Sequence, residues 1–290
     1  MSSHLVAGAC VSHSPGLTGF PERAPAADRE AVLGAFEDMA GRIRAARPDA
    51  LVMVSSEHFT NFSPANLPTV AVGMAEEYAC PASEGFERFL RVPRRGYPGQ
   101  AALGRALAEG LLERGFDPAL VGGGYGFDEA FAVPLSLLVD PADPVPVVPV
   151  VVNAVQAPMP SLARCAALGR AVGDVIAGQE AAARVAVVAS GGLSHWVGLP
   201  RAGEIDQAFD ELVLGLLEKG DVEELAKLSE ARVAEAGNGA AEVRAWVVAG
   251  AALAGWRWEV LAYRAVPPWL TGTAVVSARR PGGESEEEGR

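Results

Sequence analysis

The chain has 290 residues, of which 50% are hydrophobic and 21% are charged, a composition typical of a globular protein with a sizeable core. Its formal net charge of −12 disfavours nucleic acid as a partner, because phosphate binding depends on clustered lysine and arginine. The sequence shows no leader, no apolar run of roughly 18 residues and no CxxC motif, so we expect a cytoplasmic protein without membrane contact or disulfides.

Apolar runs and helical repeats divide the chain into alternating predicted strands and helices. The predicted strands cover residues 5–11, 50–55, 68–72, 144–152, a run that starts at 185 and ends before Gly191, 258–265 and 271–278. The predicted helices cover residues 27–46, 100–114, 161–176, 203–219, 222–229 and 240–253. Residues 84–99 are predicted to be a loop with a helical piece.

This alternation predicts an α/β fold, with a central sheet rich in β-branched residues and helices that flank it. In such folds ligands bind just outside the ends of the strands. No internal repeat or interdomain linker is evident, so we predict one catalytic domain over residues 1–280. The last residues, 281–290, form an acidic segment that we predict to be a disordered tail.

Three of the four histidines follow predicted strands: His13, His58 and His195. Each comes after small polar residues at the end of an apolar run, which predicts one shared site at the sheet edge. Neutral imidazole is a ligand for iron, copper, nickel and zinc, so His13 and His58 are candidate metal ligands. The alternative is that these histidines form hydrogen bonds within their loops.

Two histidines and one carboxylate, with open positions opposite, form the metal site of non-haem Fe(II) oxygenases. Glu242 is the candidate carboxylate, because only Glu242 and Arg244 are charged in the apolar segment 239–253. A buried carboxylate needs a cation or a metal as partner, since burying it unpaired is costly. The alternative is a carboxylate exposed in the first helical turn, where the helix dipole favours it.

Six motifs occur in order along the chain: GACVSHSPG, LVMVSSEHFTNF, AVPLSLL, PVVPVVVNAVQAPMP, ASGGLSHWVGLPRAG and EAGNGAAEVRAWVVAG. With these motifs the chain resembles the class III extradiol ring-cleavage dioxygenases, in particular the β-subunit type of protocatechuate 4,5-dioxygenase. The resemblance is clearest over residues 51–253. It implies that His13, His58 and Glu242 ligate Fe(II), and that His195 acts as an acid/base off the metal. It further implies that O2 cleaves a catechol or 2-aminophenol-type ring to a ring-opened semialdehyde.

One segment departs from the family pattern. Where relatives carry Asp-His-Gly, this chain has Asp-Glu-Ala at residues 128–130. We expect Glu129 to act as a catalytic residue beside the aromatic ring and Asp128 to bind substrate, and we expect the Glu129 carboxylate to disfavour carboxylated catechols. Tyr125 and Phe127 are also predicted to bind substrate. In the alternative, Glu129 turns away and the pocket is reshaped around Tyr125, Phe127 and Phe131.

Two further polar residues are predicted to orient the substrate, Asn153 at a strand end and Arg201 in GLPRAG, and loop capping is the alternative for both. The leading hypothesis is an Fe(II)-dependent extradiol dioxygenase that uses a small aromatic substrate and O2. One alternative is a zinc-dependent hydrolase with the same His/His/Glu site, and another is a non-catalytic subunit of a dioxygenase complex. The resemblance implies a homo-oligomer or a pairing with a small second subunit.

Overall fold

The computed structural model describes residues 4–281, so the predicted acidic tail, apart from Pro281, lies outside the described residues. The strands are β1 (His4–Val11), β2 (Ala50–Ser55), β3 (Val70–Gly73), β4 (Glu77–Cys80), β5 (Arg95–Pro98), β6 (Ala119–Val121), β7 (Val147–Val152), β8 (Arg184–Ser190), β9 (Arg257–Val266) and β10 (Thr271–Arg279). The α-helices are α1 (Gly16–Gly19), α2 (Ala26–Ala46), α3 (Glu84–Leu90), α4 (Ala101–Glu113), α5 (Glu129–Leu138), α6 (Leu162–Gly178), α7 (Gln207–Glu218), α8 (Val222–Leu225), α9 (Glu230–Glu235) and α10 (Val243–Ala252). None of these helices is long and apolar enough to cross a membrane, within the part of the chain that the structure describes.

Eight strands form one sheet in the order β6-β3-β7-β2-β8-β1-β10-β9. The four middle strands, from β7 to β1, run parallel to one another, and every residue of β2 and β7 is buried. Burial on both faces suits their continuous runs of valine and other apolar residues. Strand β10 pairs antiparallel with β1, β9 pairs antiparallel with β10 at the edge of the sheet, and β3 pairs antiparallel with β7.

The sheet separates two hydrophobic cores. Along β2, Val52 and Val54 belong to one core, whereas Leu51 and Met53 belong to the other, as the alternation of side chains across a strand requires. The first core is covered by α4, α6, α7 and α10, and the second by α2 and α5. The predicted α/β domain, with a central sheet flanked by helices, is therefore confirmed.

The carboxyl ends of β1, β8 and β2 lie side by side. Ser190, the last residue of β8, pairs with Val11 at the end of β1 and with Ser55 at the end of β2. The loops that follow these three strands carry His13, His195 and His58, so the register alone brings the three histidines to one edge of the sheet. The prediction of a site at the strand ends is confirmed.

The structure differs from the predicted elements mainly at short segments. Strands β4 and β5 form a separate two-stranded sheet, and β5 lies in the segment predicted to be a loop. Helix α5 is absent from the predicted elements, because Pro134 within it is a helix breaker by sequence. The predicted helix at 240–253 begins with a 3-10 turn, Gly239–Glu242, before α10. That turn ends on Glu242 and brings it to the strand ends.

Candidate active site

Two histidines and one glutamate converge at the carboxyl ends of β1 and β2. The Nε2 atom of His58 lies 2.9 Å from Oε1 of Glu242, and Nε2 of His13 lies 3.3 Å from its Oε2. One ligand atom from each residue lies within 4.8 Å of the other two, a spacing that suits a single metal ion. The predicted grouping of His13, His58 and Glu242 is confirmed.

Each of the two histidines is oriented through the nitrogen that faces away from Glu242. Nδ1 of His58 lies 3.2 Å from Oδ2 of Asp128, which also accepts the backbone N–H of His58 at 2.6 Å. Nδ1 of His13 lies 2.9 Å from the hydroxyl oxygen of Ser190. Holding Nδ1 in this way leaves Nε2 directed at the site, as in the carboxylate–histidine arrangements that orient metal ligands.

Glu242 is buried, which decides between the two alternatives for its position. Its side chain is 3% exposed, and its oxygens accept hydrogen bonds from the Gly192 backbone N–H and the Ser56 hydroxyl. Burial alone would raise the pKa of Glu242, but the charge and hydrogen bonds of His13 and His58 hold that pKa well below its ordinary value. Glu242 is therefore ionised, which is the form that binds a metal.

His195 lies at the same strand ends but outside this group of three. Its Nδ1 lies 2.9 Å from the carbonyl oxygen of Leu193, and because a carbonyl only accepts, Nδ1 carries the hydrogen. Nε2 is then an unprotonated acceptor in the neutral ring. Burial lowers the pKa of His195, so the neutral form is favoured near neutral pH. The ring is therefore ready to take up a proton.

A cavity of about 200 Å³ opens beside these residues. Much of its wall is apolar and comes from Trp196, Val197, Trp269 and Leu270. The remaining lining residues are Ser12, His13, Ser14, Pro15, His58, Glu129, Gly192, His195, Gly198, Glu242 and Thr271. The three predicted ligands and His195 thus face one apolar-walled space.

Glu129 also faces this cavity, from the first turn of α5. Its Oε1 lies 3.5 Å from Nδ1 of His58, and its Oε2 is buried without a hydrogen-bond partner among residues 4–281. Burial raises the pKa of Glu129, against the opposing attraction of His58. The structure therefore places Glu129 at the cavity, and the alternative in which it turns away is wrong.

The structure does not bring the predicted substrate residues Tyr125 and Phe127 to the cavity. Phe127 is fully buried and stacks on Tyr78, with ring centroids 4.8 Å apart, and on Phe131, at 4.9 Å. Tyr125 packs edge-on against both Tyr78 and Phe127. These rings form a core between the two-stranded β4–β5 sheet and α5. Tyr125 and Phe127 are therefore near Glu129 in the sequence but do not line the cavity.

Asp128 likewise lies behind the cavity wall rather than in it. Its Oδ1 accepts the backbone N–H of Ala130 at 3.1 Å and so caps α5, while its Oδ2 holds His58. Both carboxylate oxygens bond to the chain itself, and Asp128 is buried and absent from the residues that line the cavity. The expectation that Asp128 binds substrate is replaced by a role in positioning His58.

Asn153 caps the loop after β7, which was the alternative to a role in orienting the substrate. Its side-chain oxygen accepts the backbone N–H groups of Val155 and Gln156, each at 3.2 Å, and its amide nitrogen donates to the carbonyls of Gln156 and Pro158. These bonds close the turn after β7 and use all the hydrogen-bonding groups of the amide. The structure does not bring Asn153 to the cavity.

Arg201 approaches the cavity only from outside. Its guanidinium lies 4.1 Å from the ring centroid of Trp196, which lines the cavity, and its Nη2 lies 2.7 Å from Oε2 of Glu204. The exposed side chain therefore stacks on a wall residue and is paired with a carboxylate. Arg201 thus contacts a wall residue of the cavity without lining the cavity itself.

Sequence reasoning missed Asp210, which anchors the loop that carries His195. Asp210 is fully buried, and its Oδ1 accepts the Ser194 backbone N–H at 2.7 Å. Its Oδ2 accepts the hydroxyls of Ser194, at 2.9 Å, and Tyr263, at 2.8 Å. The signal was present in the sequence, because Asp210 lies on the apolar face of α7 between Phe209 and Val213.

The stability of the protein should depend on pH through Asp210. Burial raises the pKa of Asp210 from 3.8 to about 6, so its ionisation costs the folded state about 3 kcal/mol. Protonated Asp210 therefore contributes fully to the stability of the folded protein below about pH 4. This stabilisation is lost as the pH rises through about 6, because the folded protein must then hold a buried charge. Urea unfolding should show metal-free wild type losing about 3 kcal/mol relative to Asp210→Asn between about pH 4 and pH 7. An unchanged difference between the two proteins would contradict the burial argument.

The fold and the site define an α/β protein with a His/His/Glu metal site and a further histidine at the ends of parallel strands. The chain belongs to the family described as the catalytic LigB subunit of aromatic ring-opening dioxygenase, whose sequence model matches residues 7–274. His13, His58, His195 and Glu242 all lie within the matched residues. The family resemblance carried by the motifs is confirmed.

The relatives are similar over nearly the whole chain. A 2,3-dihydroxyphenylpropionate/2,3-dihydroxicinnamic acid 1,2-dioxygenase of Klebsiella pneumoniae (strain 342) is 29% identical in an alignment of 323 positions, gaps included, that covers 93% of this chain and 97% of the relative. The dioxygenase of the same name from Escherichia coli O139:H28 is 29% identical in an alignment of 322 positions, with the same two shares covered. A solved structure of the uncharacterized protein JW3007 from Escherichia coli K12 matches with a TM-score of 0.56 at 18% identity, over 83% of this chain and 91% of that one. At that identity the structure supports the fold alone.

Proposed function

We propose that the protein is an Fe(II)-dependent extradiol dioxygenase that opens the ring of a catechol or 2-aminophenol-type substrate with O2. The observation that carries the proposal is the meeting of the His13/His58/Glu242 group with His195, a histidine that is not part of the group, in one cavity. The relatives named as 1,2-dioxygenases of dihydroxylated aromatic acids support the same reaction class. The product expected is a ring-opened semialdehyde that keeps both oxygen atoms.

The donor set fits Fe(II). Two imidazole nitrogens and one carboxylate match the facial arrangement used by non-haem iron oxygenases, and three protein ligands leave positions for substrate and O2. Bound Fe(II) would supply the electron exchange between the aromatic diol and O2 that the ring opening needs. His13, His58 and Glu242 would hold it, each through the atom that now faces the other two residues.

The chain's own contribution to the reaction centres on His195. Its lone pair at Nε2 suits it to accept the proton of a substrate hydroxyl, and its later return of that proton would assist ring opening. An imidazole serves both directions of transfer, because its protonated and neutral forms are both accessible near neutral pH. Trp196, Trp269 and Leu270 would exclude water from the ring and restrict its orientation.

Oxygen uptake tests the proposal. Protein purified and loaded with Fe(II) under anaerobic conditions is mixed with catechol, 4-methylcatechol or 2-aminophenol, and O2 consumption and the visible spectrum are followed together. We expect one O2 to be consumed for each ring opened, with a yellow product. Stoichiometric zinc in the purified protein, with no oxygen uptake after iron loading, would overturn the proposal in favour of the hydrolase alternative.

A further inference from the structure

The Glu129 side chain, which lines the cavity, has one carboxylate oxygen that no donor of the described residues reaches. Its Oε2 is buried and lacks a partner among the described residues, whereas its Oε1 lies 3.5 Å from Nδ1 of His58. Leaving a buried polar oxygen without a donor is costly, and such atoms in native proteins usually have a partner. Glu129 lines the cavity, so a ligand in the cavity is in a position to supply the missing donor.

The cavity offers no lysine or arginine to balance a negatively charged substituent. Its described lining residues include no lysine or arginine. Arg201, which stacks on the wall residue Trp196, is already paired with Glu204 outside the cavity. A carboxylate on the substrate would therefore be buried beside Glu129 without a cation from the chain, which is unfavourable.

The position of Glu129 indicates which part of a substrate it meets. It approaches the Nδ1 edge of His58, whereas the metal-binding Nε2 lies on the opposite edge, toward Glu242. Glu129 is thus beside the His13/His58/Glu242 group rather than in it, where it would meet a substituent of a metal-bound ring rather than the ring oxygens. The volume of about 200 Å³ has room for one aromatic ring, because a cavity of about 150 Å³ accommodates benzene.

From these observations we infer that the site is selective for a single-ring substrate with a short substituent that carries an N–H or ammonium donor, and that Glu129 is the specificity-determining residue. The inference rests on the proposed function for the identity of the ring as a catechol or aminophenol. An amine-bearing substituent would complete the hydrogen bonding of Oε2, whereas a methyl group would leave it unpaired. A carboxylate substituent would add a second acceptor and a second negative charge at the same place.

Three catechols of similar size test the inference: 4-methylcatechol, 4-(aminomethyl)catechol and 3,4-dihydroxybenzoate. Dissociation constants are measured by anaerobic calorimetry on the Fe(II)-loaded and the metal-free wild-type protein. We expect the amine to bind about tenfold more tightly than the methyl compound, which is the effect of one hydrogen bond to a charged group, and the carboxylate to bind about tenfold more weakly. Equal binding of the amine and the carboxylate by wild type would overturn the inference without any variant.

Glu129→Gln assigns the effect to its residue, because it keeps the size of the side chain and removes the charge. We expect this substitution to reduce the preference for the amine over the carboxylate by about tenfold or more. Glu180→Gln makes the same charge change at an exposed position after α6 and should leave the preference unchanged. An unchanged preference in Glu129→Gln would overturn the role of Glu129. Oxygen uptake with 4-methylcatechol is scored separately: uptake without the ranking rejects this inference alone, and no uptake with any of the three rejects the proposed function.

Discussion

His58→Ala is expected to abolish stoichiometric Fe(II) binding, whereas His195→Ala is expected to retain iron and lose ring cleavage. His58 supplies one of three converging ligand atoms, and its removal leaves only His13 and Glu242. His195 lies in the cavity but outside that group, so its loss removes proton transfer, typically worth about 10²–10⁴-fold in rate. Iron content after anaerobic loading and desalting, together with oxygen uptake, separates the two effects.

His4→Ala provides the matched control for both substitutions. His4 begins β1, whereas His13 follows the opposite end of the same strand. The control therefore replaces a histidine at the opposite end of β1 from the loop that carries His13, so iron content and oxygen uptake should match wild type. Thermal unfolding of all three variants checks that each is folded. Equal loss of iron in His58→Ala and His195→Ala would overturn the division between ligand and acid/base.

The central sheet was predictable because the pattern of its strands is local. Runs such as 50–55 and 144–152 are almost entirely apolar. A short, uninterrupted apolar run of this kind is typical of a strand that is buried on both faces. The histidines were predictable for the same reason, since each closely follows such a run. The burial of Glu242 was partly indicated by its position as a charged residue in an apolar segment. Its partners His13 and His58 follow distant strands, so only the fold shows that they contact it.

The predictions that the structure corrects concern residues whose role depends on contacts distant in sequence. Phe127 adjoins Asp128 in the chain, yet its ring stacks on Tyr78 of β4, which nothing in the local pattern indicates. Asn153 follows a strand just as His13 and His58 do, but the turn after β7 uses its amide. Position at a strand end therefore predicts proximity to the site, and the local hydrogen bonds decide whether the side chain is available.

Asp128 and Asp210 show why the support of the site is harder to predict than the site itself. Both are buried carboxylates that accept backbone N–H groups, one from His58 and the other from Ser194 next to His195. The sequence places Asp210 on the apolar face of a helix and Asp128 beside Glu129, but it indicates for neither the group that the carboxylate holds. Only the folded chain shows that the ligand His58 and the loop of His195 are each held by a buried aspartate.

Gly239→Ala is expected to disable His195 while leaving the iron site intact. A Cβ at residue 239 would lie 1.9 Å from Nε2 and 2.2 Å from Cδ2 of His195, so the imidazole would have to leave its position. The nearest atoms to that Cβ all belong to His195, whereas a Cβ at Gly192 would also lie 3.0 Å from Oε2 of Glu242. Because displacement of a catalytic group by about 1 Å costs about 10²-fold, we expect kcat to fall by at least that factor with normal iron content.

Gly34→Ala makes the same substitution where the added methyl group has free space. Residue 34 lies on α2, a Cβ there would have no atom of the described residues within 4 Å beyond its own helix turn, and alanine should stabilise the helix slightly. Iron content, kcat and KM are measured for wild type and both variants, with thermal unfolding as the check on folding. Full activity in a folded Gly239→Ala protein would show that ring cleavage does not need His195 where the structure holds it. Loss of iron in that variant would instead place His195 among the groups on which metal binding depends.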